Sequence, residues 1–90
     1  MQIPDDVRDD LRKRLRRAEG QVRAVERMLD DDATHCRDIV TQLSAAARAI
    51  ENAGFKLLAA GLTYCVEDPE RAASEGVTIA EVERLFMKLG

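Results

Sequence analysis

The chain contains no tryptophan, one tyrosine and two phenylalanines, so Phe55, Tyr64 and Phe86 are its only aromatic side chains among 90 residues. Glycine is scarce and there are two prolines. With alanine, leucine, arginine and glutamate abundant instead, the composition reads as helix rather than sheet. No apolar run approaches the roughly 20 residues that span a bilayer, which excludes a membrane partner. The N-terminus, MQIPDDVRDD, is too polar and acidic for a secretory or transit signal. Two cysteines do not make a disulfide scaffold, and they fit a cytoplasmic chain that keeps its thiols reduced at rest. With one histidine, no glycine-rich phosphate loop and no nucleophile–base–acid constellation, an enzyme is not expected.

What the chain has in quantity is charge, 34% of its residues. The net charge of −3 argues by itself against a nucleic-acid binder, but the distribution argues the other way. Residues 11–17 read LRKRLRR, five cations and no acid, and the stretch from Arg8 to Arg27 holds eight basic and four acidic residues. The acids collect elsewhere, in Asp30-Asp31-Asp32 and in Glu67-Asp68-Pro69-Glu70. A segregated pattern leaves room for a local basic surface despite the overall sign. An ordinary solvated helix face is the plainer reading of LRKRLRR.

The apolar residues predict three helices in one domain spanning residues 1–90. Val7, Leu11, Leu15, Ala18, Val22, Val25 and Leu29 form one stripe with steps of three and four. Asp5 or Asp6 is expected to cap this first helix and the Asp30 run to end it. Gly20 falls mid-helix, where a close backbone contact would justify its cost of about 1 kcal/mol. Thr34 is the expected cap of the second helix, whose seam runs from Ile39 to Tyr64 and is lined by Ala45, Ala46, Ala47, Ala49 and Ala53. A short acidic loop follows. Thr78 then caps a third helix, with Glu81 completing a capping box. The first two helices would each run on the order of 35–45 Å, and as a lone hairpin they would leave much apolar surface bare. An antiparallel dimer with a four-helix core covers it; a lone three-helix bundle is the alternative.

Cys36 and Cys65 lie 29 residues apart on the second helix, about 43 Å if the helix is continuous. They cannot meet within one chain. In an antiparallel dimer, Cys36 of one protomer comes near Cys65 of the other. Isolated cysteines in helical proteins are mostly core filler. Cys36, however, opens its helix, where the dipole and free N–H groups favour a thiolate, and it follows His35.

The stretches RLRRAEGQVRAVERML (14–29) and HCRDIVTQLSAAARAIENAGFKLL (35–58), followed by Cys65, resemble the CsoR/RcnR family of bacterial repressors. The resemblance implies an all-α dimer of antiparallel dimers that binds operator double-stranded DNA without a helix-turn-helix and releases it when the inter-protomer site is filled. It implies a DNA face at Arg14, Arg16, Arg17 and Arg48, with Lys13 and Gln21 less firmly matched. Such a stripe would neutralise phosphates and release counterions. Copper-sensing members set a histidine four residues before the second cysteine, and here that position is Gly61. The pattern is therefore most similar to the persulfide-sensing branch, the CsoR-like sulfurtransferase repressor type. That branch implies no cofactor, reactive sulfur species as inducer, Cys36 as nucleophile and Cys65 as resolver. The alternative is Cu(I) held by Cys36 and Cys65, with His35 replacing the lost imidazole. His35 and Glu81 match positions that support the metal site from behind.

Overall fold

The computed structural model describes residues 1–89. Every regular element among them is helical: α1 (Asp5–Leu29), α2 (Cys36–Glu67), α3 (Pro69–Ser74) and α4 (Ile79–Leu89). α1 and α2 form a long hairpin, and α3 and α4 fold back along the C-terminal half of α2, giving a flat body of 57 × 25 × 14 Å.

The sequence predicts three helices, and the described residues form four. Residues 68–70 read as an acidic breaker, yet they start a helix. The Asp68 carboxylate accepts the Arg71 N–H and Pro69 occupies the first turn, where its missing N–H costs nothing. α3 closes in a Schellman turn: Val77 N–H reaches the Ala72 carbonyl at 2.8 Å and Gly76 N–H that of Ala73 at 3.1 Å. This turn needs the left-handed backbone of Gly76, φ 79°.

Two expected caps are also displaced. α1 begins directly after Pro4 with no side-chain cap, and Asp5 and Asp6 lie inside its first turn, where they favour the positive end of the dipole. α2 is preceded by His35 rather than Thr34, again with no side-chain bond. The reason lies in the Asp30 run: Asp31 Oδ1 accepts Ala33 N–H at 3.0 Å and the Asp31 carbonyl accepts Thr34 N–H at 3.0 Å. Thr34 is thereby drawn into the turn. Thr78 does cap α4, accepting Glu81 N–H at 3.1 Å. The reciprocal half of the capping box is not made, because the Glu81 carboxylate pairs with Arg84 at 2.7 Å.

The seam between α1 and α2 is built from small residues. Ala18, Val25, Ala46 and Ala53 are buried, and among the described residues no large side chain is fully enclosed. Leu15, Val22 and Leu29 on α1, and Leu43, Ile50 and Leu57 on α2, each recur every seven residues and remain 38–65% exposed. The protomer thus carries an apolar stripe that it does not cover. α4 lies on α2 through Phe86 against Phe55, ring centres 5.2 Å apart, and through its aliphatic residues over two glycines. Leu89 sits where a Cβ at Gly54 would come within 2.7 Å, and Val82 lies 3.7 Å from a Cβ at Gly61. The close approach expected at Gly20 is absent, since nothing lies within 4 Å of a Cβ there.

Gly20→Ala is therefore expected to stabilise the protein by about 0.5–1 kcal/mol, the helix-propensity difference. Gly54→Ala, which must displace Leu89, should gain less or lose. Urea unfolding of the two variants against wild type checks the order.

Candidate nucleic-acid interface and thiol pair

The basic run of α1 divides by helical geometry. Arg14, Arg17 and Gln21 share one face, and across from them α2 presents Arg48 and Asn52, with Ala45 and Ala49 as the floor of the groove between. Small floor residues let the helices approach closely enough for cations from both to line one groove. Arg16, about 200° around the helix from Arg14, is exposed and does not line it. Lys13 is likewise exposed and outside it.

Arg14 donates from Nε to Asp10 Oδ2 at 2.8 Å. That hydrogen bond holds the Asp10 carboxyl below the usual carboxylate range, with the charges of Arg14, Lys56 and Lys13 adding to it against partial loss of water. Among the described residues, no carboxylate lies within ion-pair distance of Arg16, Arg17 or Arg48. The Gln21 side-chain oxygen is buried without a hydrogen-bond partner. Three guanidinium groups with one local counter-charge make the groove strongly cationic, suited to phosphate.

The two thiols occupy opposite ends of α2. Cys36 is exposed in the first turn, beside His35, Arg37 and Asp38. Cys65 is buried, and its sulfur donates to the Val77 carbonyl at 3.0 Å. His35 lies at the Cys36 end, while Glu81 lies in the first turn of α4, paired with Arg84. One protomer therefore brings together neither the two cysteines nor the His35–Glu81 pair. Among the described residues, no group of three or more metal-ligating side chains is assembled.

Next to Cys65 stands a polar cluster without a warning in the sequence pattern. Tyr64 donates its hydroxyl to Glu75 Oε2 at 2.9 Å, and the Met1 amine reaches the same oxygen at 2.7 Å. Loss of water pushes the Tyr64 phenol up, and the bond to Glu75 pushes it further. The amine first, and then the Tyr64 hydroxyl, hold Glu75 down. The Val77 carbonyl opposite Cys65 was equally invisible, and Gly76 before Thr78 was the only hint of a tight turn there.

The described residues thus form a cationic groove on an all-helical scaffold, with two thiols held apart by one long helix. The chain belongs to the metal-sensitive transcriptional repressor family, whose model matches residues 7–88. It is 44% identical over 69 residues to the copper-sensing transcriptional repressor RicR of Mycobacterium tuberculosis, covering 77% of this chain and 68% of that protein. It is 35% identical over 81 residues to the copper-sensing transcriptional repressor CsoR of Bacillus subtilis, covering 90% and 79%. No solved structure matches it. The family is one of repressors rather than enzymes. No described helix is long and apolar enough to cross a membrane. The expectation that no cofactor takes part is overturned: both relatives are copper-sensing and the family is metal-sensitive. With glycine at position 61 in place of the histidine, the chain still keeps two soft sulfur donors, Cys36 and Cys65.

With one tyrosine and no tryptophan in the chain, phenolate absorbance titrates Tyr64 alone. The midpoint is expected above the ordinary phenol value of about 10, and Glu75→Gln should lower it while leaving it raised. A midpoint indifferent to Glu75→Gln would rule out the hydrogen bond as a contributor.

Proposed function

We propose that this chain is a Cu(I)-responsive operator-binding repressor whose sensing site forms between protomers. The observation that carries the reading is the placement of two soft sulfur donors at opposite ends of the uninterrupted α2, out of reach of each other within one chain. The bare heptad stripes support an antiparallel dimer, and the repressor relatives support DNA as its partner. Pairs of dimers would multiply the groove fourfold. Cytoplasmic location follows from work on DNA.

The donor set fits the metal. Soft thiolates select Cu(I) over harder divalent ions, and Cys36 of one protomer with Cys65 of its partner would hold it. When bound, it supplies a link between protomers. His35, beside Cys36, is the chain's one imidazole and would be the further nitrogen donor, and Glu81, paired with Arg84 in the protomer, would orient it once two protomers pair and that ion pair opens. Arg14, Arg17 and Arg48 contact phosphates from one groove, while Arg16, nearly opposite Arg14 on α1, contributes only to the positive field around the helix.

One observation favours a second reading. Gly61 lies one turn before Cys65 on the same face, offers no ligand, and faces only Val82 Cγ2. Two thiols without an imidazole also suit reactive sulfur. In that reaction the Cys36 thiolate takes a sulfane sulfur from a polysulfide, which departs one sulfur shorter. The Cys65 thiolate of the partner then displaces hydrosulfide to leave a disulfide bond; where Cys36 has taken up two sulfane sulfurs, its attack on the inner one displaces hydrosulfide and leaves a trisulfide bridge.

Anaerobic Cu(I) titration with an operator duplex is the test. Expected are stoichiometric uptake and DNA release, both lost in Cys36→Ser and Cys65→Ser, and tighter uptake in Gly61→His. Intact mass after polysulfide treatment runs in parallel: a covalent dimer with added sulfur, without Cu(I)-driven release, would replace copper by sulfur as the inducer. Arg14→Ala with Arg17→Ala should weaken duplex binding by at least about tenfold near 0.1 M salt and flatten its salt dependence. Unchanged binding would remove the groove from the interface.

A further inference from the structure

Cys65 is 7% exposed, and its sulfur faces a backbone carbonyl, that of Val77, at 3.0 Å. A thiol is a donor only while it carries its hydrogen. A sulfur that has exchanged that hydrogen for another bond presents lone pairs alone, and a carbonyl oxygen at this distance then repels it. The contact therefore reverses sign when the sulfur is occupied, with burial sharpening both the attraction and the repulsion.

Val77 is the peptide at which three helices are tied. Its N–H closes the Schellman turn of α3 on Ala72, which is 1% exposed. Its carbonyl takes the Cys65 thiol of α2. The next residue, Thr78, caps α4 through its hydroxyl to Glu81 N–H at 3.1 Å and through its carbonyl to Val82 N–H at 2.9 Å. α4 has no buried side chain of its own, so its seat on α2 depends strongly on how its first turn is anchored. That seat covers Gly61 and Gly54 of α2, the helix that also carries Arg48.

We propose that the Cys65 thiol–Val77 carbonyl contact is a latch: with the thiol free it pins the start of α4 to α2, and it opens when the sulfur takes a ligand. Under Cu(I) ligation, a sulfur–copper bond replaces the S–H bond and the proton passes to solvent, with no change of oxidation state. The carbonyl must then turn away, the linker at residues 75–78 loosens, and α4 shifts on its two glycines. The switching half of this proposal rests on Cys65 being a sensing ligand; the pinning half does not.

Hydrogen exchange on the metal-free protein tests the pinning half. Cys65→Ser keeps a hydroxyl donor, whereas Cys65→Val fills the site with about one methyl group more than cysteine and has no donor. Cys65→Val is expected to lose protection at the amides of Val77, Glu81 and Val82 by on the order of two- to tenfold, the effect of one hydrogen bond. Cys65→Ser should stay near wild type, and circular dichroism verifies that both remain helical. Equal exchange in the two variants overturns the latch. The switching half is read on the wild type loaded with Cu(I), which should reproduce the Cys65→Val pattern. Uptake of Cu(I) without loss of protection overturns the switch, and absence of uptake overturns the metal reading while the comparison of valine with serine still decides the pinning.

Discussion

An α-helix rises about 1.5 Å per residue, so the 32 residues of α2 hold its ends on the order of 45 Å apart. Almost everything else in the molecule answers to that rod. It separates Cys36 from Cys65 beyond any contact within a chain, and it gives α1 a partner long enough to bury one alanine-rich seam. It also leaves Leu43, Ile50 and Leu57 standing in a row with nothing over them. A second copy running the opposite way would cover the row and bring unlike cysteines together in one motion, so in the proposed repressor assembly and sensing would share a single geometric cause.

The charge pattern acts on the same scaffold at a different face. Alanines at positions 45 and 49 keep α1 and α2 close, and that closeness turns separate arginines on two helices into one groove. Arg14 is partly neutralised by Asp10, while Arg17 and Arg48 have no carboxylate at hand among the described residues. A chain with net charge −3 can present a cationic groove because none of its 17 acids lines it, seven of them lying in the α1–α2 turn and around α3.

Much of the fold was legible in the residues because helical periodicity is a local property. The stripes of α1, α2 and α4 and the end of α2 before Pro69 follow directly from spacing and breaker chemistry. The errors came where two local signals compete. Thr34 is a good cap, but Asp31 claims it for the turn. Asp68-Pro69 stops one helix and starts the next, a double role that the sequence shows only as a loop. Gly20 and Gly54 look alike in sequence, and only the position of α4 shows that the second is the one with a neighbour. The copper relatives correct a different kind of error, the inference that one absent imidazole removes a metal from a site that keeps two thiolates.

The sequence by itself determined the helices, the segregation of charge and the separation of the two thiols, since each depends on spacing along one chain and on the fixed rise of a helix. Only the tertiary structure decided that Arg48 of α2 converges with Arg14 and Arg17 of α1. It alone set α4 over Gly54 and Gly61, and it alone buried the Cys65 sulfur against the Val77 carbonyl. Those pairings depend on the register between helices, which is set by how side chains from distant segments interlock and leaves no periodic mark in any one of them.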